Sequence, residues 1–156
     1  MTIGVTMRHA LVIIAVGVLL LSGCSGSITD AQGRKLPAQG ATATLVEKHG
    51  WLATTEAAIP ELMAQPKINL LATPPEQAAK LLDEALAQNA SRLMKEGKVI
   101  QVAPGTKVRV LGYCVGDSRN VRPLSPGERV ATWVKVEALG GETGKRTGIT
   151  TADGIQ

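Results

Sequence analysis

The hydrophobic period of this chain changes once, at Gly97, and that change restricts the fold to helix first and sheet afterwards. Before it, Ala78, Leu82, Ala85, Leu86, Asn89 and Leu93 recur at three- and four-residue spacing, as on a helix with one apolar stripe. Thr73 is placed as an N-cap, Pro74 suits a first turn, and Glu76 stands three residues after Thr73 as in a capping box. Lys95 sits near the end of the stripe, and Gly97 is placed to stop the helix.

Beyond Gly97 the pattern alternates. Val99, Ile100 and Val102 precede the turn pair Pro104-Gly105. Val108, Val110, Gly112 and Cys114 then alternate with Lys107, Arg109, Leu111 and Tyr113, as in a half-buried strand. Gly116, Pro123, Pro126 and Gly127 make 115–128 a long loop. Residues 129–138 read as a strand with Val130, Thr132, Val134 and Val136 on one face. Gly140, Gly141 and Gly144 mark a turn, and 145–151 a last short strand. Earlier in the chain, Leu45, Val46, Leu52, Ile59, Leu62 and Met63 lean towards helix, but Gly50 and Pro60 exclude a single long one.

The amino terminus has a different character. Arg8 and His9 precede an uncharged run from Ala10 to Leu21, and small residues follow it, the layout of a secretory signal. The run has 12 residues, whereas an apolar helix needs about 20 to cross a bilayer. Leu21-Ser22-Gly23-Cys24 resembles the lipobox of bacterial lipoprotein precursors, which implies cleavage before Cys24 and a diacylglycerol on its sulfur. Met7-Arg8 offers an alternative start for the same signal. Ser25, rather than aspartate, follows the cysteine, which by the same resemblance favours the outer membrane, facing the periplasm.

Removing 23 of 156 residues leaves 133, enough for one small domain with a modest core. The reading divides the chain into a signal peptide (1–23), a lipidated cysteine with a flexible tether (24–40), a helical segment (41–97) and a β domain (98–156). The tether is inferred from Gly26, Gly33, Pro37 and Gly40 among scattered polar residues. Charge is uneven: residues 25–97 hold 7 Lys and Arg against 8 Asp and Glu, while 98–156 hold 9 against 5. An exported basic half suits an anionic envelope surface or an acidic protein and argues against nucleic acid. Two tryptophans, one tyrosine and no phenylalanine leave few platforms for stacking sugars or bases.

The stretch Ala103-Pro-Gly-Thr-Lys-Val-Arg-Val-Leu111, with Trp133-Val-Lys-Val-Glu137 and Gly144 through Thr150, resembles the bacterial SH3-like domain. That resemblance covers under half of the mature chain. It implies an α+β protein whose helical segment precedes a small antiparallel SH3-like β-barrel. Family members typically carry Gly-Trp in the closing strand, where this chain has Gly148-Ile149, so an aromatic ligand groove is not implied.

No catalytic constellation stands out. Cys114 and His49 are the mature chain's remaining cysteine and histidine, and Cys114 is expected mid-strand, where a thiol is buried and inert. No spacing suits a metal, phosphate loop or other cofactor. Arg119, Arg122 and Arg129 flank the long loop as a candidate surface for phosphates or carboxylates, and Trp133 stands beside them. Solvating the loop and filling the core are the plainer roles of the same residues. The chain therefore reads as a non-catalytic, lipid-anchored docking or scaffold module whose partner is an envelope protein or peptidoglycan. The alternatives are a wall hydrolase or its inhibitor, and a structural lipoprotein of a secretion or conjugation assembly.

Overall fold

β-Branched residues alternating with charged ones make strands, and the longest such run organises the sheet. In chain order the elements are β1 (Thr42–Thr44), β2 (Trp51–Ala53), α1 (Ala58–Leu62), α2 (Pro75–Lys95), β3 (Val99–Gln101), β4 (Lys107–Val115), β5 (Arg122–Pro123), β6 (Trp133–Ala138), β7 (Arg146–Thr151) and a closing 3-10 turn, Ala152–Gly154. The computed structural model describes residues 26–69, 71–140 and 146–156. The signal, Cys24 and the turn at 141–144 lie outside them.

The protein is α+β, with a mostly antiparallel sheet that has seven strands among the described residues. The strand order is β1-β4-β6-β7-β2-β3, and β5 pairs with β4 off this path. The path is open, ending at β1 and β3, where a closed barrel was expected. It does curl. Leu45 donates to Thr106 and accepts from Gly105 on one side, while Thr44 exchanges hydrogen bonds with Gln156 on the other. The chain end thereby covers the edge of β1 that β4 leaves free, and an occupied edge cannot template pairing with another chain.

Inside the curl, Leu45, Leu52, Val108, Val110, Val134, Val136 and Ile155 form the main core. Beyond the sheet a second cluster gathers Ile59, Cys114, Trp133 and Ile149, and a third joins Leu62 of α1 to Ala90 and Leu93 of α2 and Val99 of β3. Gly148 lets β7 run against β2, because a Cβ there would stand 2.5 Å from the Leu52 Cβ.

Several expectations are corrected. The segment 41–97 is not only helical: β1 and β2 belong to the same sheet as the C-terminal strands. Strands of three residues carry too little alternation to be read as strands. Residues 26–40 are not a loose tether, since Asp30 and Leu36 are buried and Thr29 bridges Val130. In β4 the register shifts between Val110 and Gly112, so Tyr113 packs on the main core and Cys114 on the opposite cluster. A bulge of this kind turns a strand's faces over, which simple alternation misses. β6 starts at Trp133 rather than 129, and Val130 is 47% exposed.

Helix α2 lies close to where its stripe placed it, without the capping box. Pro75 forces Pro74 out of the helical region (φ −54°, ψ 143°), so Pro74 is the N-cap and Thr73 falls one residue too early to cap. The other end follows expectation. Gly97, at φ +71°, donates to Met94 while Lys98 donates to Leu93, a Schellman closure.

Candidate functional site

A broad groove lies where the described chain begins. Residues 28–36 form a small hairpin in which Leu36 N–H donates to Ile28 O at 2.9 Å. The Asp30 carboxylate organises its turn, accepting from Gln32 N (3.0 Å), Arg34 N (2.8 Å) and Arg34 Nε (2.9 Å). Thr29 fixes the hairpin to the β5–β6 loop: its N–H donates to Arg129 O and its carbonyl accepts from Ala131 N, both at 2.8 Å. Between this hairpin, the middle of β4 and the loop 123–129 the groove encloses about 720 Å³.

Ile28, Leu36, Tyr113 and Leu124 give the groove apolar walls, and Pro123 and Pro126 stiffen one side. The Tyr113 hydroxyl donates to the Pro37 carbonyl, which ties the hairpin's exit to β4. The loop is held open by an ion pair. Arg122 reaches Glu128 with both terminal nitrogens, at 2.6 and 2.7 Å, and Ser125 N–H donates to the same carboxylate at 2.6 Å. The Arg122 guanidinium first, then the Ser125 N–H, pull the Glu128 carboxyl down to about 2. Arg129 stands at the mouth, exposed, with no ion-pair partner among the described residues. Gly26 passes so close beneath it that a Cβ there would stand 3.2 Å from the Arg129 Nε.

The four residues singled out from sequence are therefore not one surface. Arg122 and Arg129 both belong to the loop that walls the groove. Arg119 faces a separate cavity with Pro60 and Met63, and its guanidinium lies 4.0 Å from the Asp117 carboxylate. Trp133 is 8% exposed, packs with Cys114 and Ile149, and donates from Nε1 to Gly116 O at 3.1 Å. The groove residues Ile28, Leu36 and Tyr113 were not found from sequence. Leu36 is a lone apolar residue among Gly, Pro and Gln, and Tyr113 is turned to this side by the β4 bulge.

Cys114 is 3% exposed, and burial pushes its thiol up, with the Glu56 charge adding to the effect. His49 stacks on Trp51 with ring centroids 4.2 Å apart, in contact with a different part of the sheet. Cys114 instead packs with Ile59, Trp133 and Ile149. Among the described residues no group of three or more His, Cys, Asp or Glu could hold a metal ion. A smaller cavity of about 130 Å³ lies between α1, α2 and β7, bounded by Trp51, Leu62, Leu86 and Trp133. The buried Trp51 Nε1 has no hydrogen-bond partner among the described residues.

Compared with protein-family models, curated proteins and solved structures, the chain finds no match in any of the three.

Proposed function

We propose that this protein is a lipid-anchored docking or scaffold module of a bacterial cell envelope, held by an acylated Cys24 on the outer membrane and facing the periplasm. One observation supports the reading beyond the signal itself. The packed body begins within a few residues of Cys24, so a lipid on that sulfur would fix the position of the whole module. Among the described residues no helix is long and apolar enough to cross a membrane. Two or three acyl chains on one residue hold far more firmly than the reversible binding of one.

The domain doing the docking is proposed to be SH3-like. The antiparallel run β4-β6-β7, within the proposed domain of 98–156, supports that reading. The partner in this reading is an envelope protein or peptidoglycan. The hydrolase alternative draws no support from Cys114, whose buried, up-shifted thiol is a poor nucleophile.

Cell fractionation tests the anchor. The wild-type protein should sediment with membranes and resist high salt, and Cys24→Ala should leave it in the soluble or unprocessed fraction. Equal membrane retention of both would contradict the proposal. Crosslinking in cells and co-sedimentation with purified peptidoglycan then separate the two partner classes.

A further inference from the structure

We propose that the groove between the 28–36 hairpin and the 123–129 loop is the face that lies on the membrane, and that it takes a phospholipid of the leaflet holding the anchor. The inference rests on acylation of Cys24 and adds an orientation and a ligand class to it. Its basis is reach. Gly26 lines the groove, and Cys24 is two residues upstream. Two residues of extended chain span at most about 7 Å. A body tied that closely to an acylated sulfur cannot hold the groove away from the headgroups.

The chemistry of the face agrees with this placement. The walls are apolar through Ile28, Leu36, Tyr113 and Leu124, as suits the upper part of an acyl chain. Arg129 offers an exposed guanidinium at the mouth with no carboxylate partner among the described residues, which suits a lipid phosphate. Glu128, the nearest carboxylate of the loop, is already neutralised by Arg122 at 2.6 Å.

Spin labels read the orientation directly. In the acylated protein Cys24 has no thiol to label and Cys114 is buried, so a new surface cysteine takes the probe alone. Ser125→Cys places it on the groove loop, and Gln77→Cys on α2, which lines no part of the groove; both positions are exposed. The two variants are reconstituted in vesicles of phosphatidylethanolamine and phosphatidylglycerol. Collisions with oxygen, which concentrates in lipid, are compared with collisions with a water-soluble nickel chelate, and intact-mass measurement checks acylation. The expected result is an acylated protein whose label at 125 is shielded from nickel and open to oxygen, while the label at 77 stays nickel-accessible. Arg129→Ala should make the site at 125 more accessible to nickel. An acylated protein whose two labels are equally accessible to nickel, or equally immersed, overturns the groove assignment and leaves the anchor standing. A protein with no acyl mass overturns both.

Discussion

On the loop between β5 and β6, Arg122 grips Glu128 through two short contacts, and the Ser125 N–H adds a third. Because the folded carboxyl sits at about 2, below its usual range, the loop's ion pair is complete above the ordinary glutamate value. It is lost as pH falls towards 2. A proton titration followed by NMR should show Glu128 turning over near 2, and Arg122→Ala should raise it towards the ordinary carboxylate range. An unshifted Glu128 in the wild type would contradict the pairing. Cys114 gives a second residue-scale expectation. A thiol that is 3% exposed and shifted up by burial should react with a thiol reagent only after unfolding, at a rate that rises with denaturant. Prompt labelling of the native protein would place it elsewhere.

At the scale of elements, α2 is two unequal halves. Ala90 and Leu93 are fully buried near its end, whereas Leu81 is 38% exposed and only Ala78 is buried in the first two turns. The C-terminal half is further fixed by ion pairs, since Glu61 of α1 meets Lys98 at 2.9 Å and Arg92 at 3.3 Å. Leu93→Ala should cost about 2–5 kcal/mol, and Leu81→Ala less than about 0.5 kcal/mol, in urea unfolding. Equal losses would mean the helix packs along its whole length. Much of α2 was legible because a 21-residue element repeats its stripe several times and ends on a glycine that only αL geometry explains. The short strands were not. β1 and β2 have three residues each, and their place depends on partners 46 to 96 residues away that no local pattern encodes. The groove was hidden for a related reason. The bulge in β4 reverses which face Tyr113 joins, and Leu36 becomes core only when the hairpin folds back onto β6's approach.

For the molecule as a whole, the main difference from the sequence reading is that the stretch after Cys24 is part of the body. Leu36, at 7% exposure, belongs to the main core beside Leu45, Val110 and Ala131. Leu36→Ala should therefore cost about 2 kcal/mol or more, measured by thermal or urea unfolding of the purified protein. A tether would tolerate the change with almost no effect. If Cys24 is acylated as proposed, packing of 26–40 would limit how freely the module swings around that anchor, and an orientation set at the membrane would be carried through the sheet to α1 and α2. The central claim is that one acylated sulfur holds this packed body on a bilayer. Metabolic labelling with radioactive palmitate tests it most directly. Label should appear on the wild-type protein and vanish in Cys24→Ala, and an unlabelled wild-type protein would contradict the account.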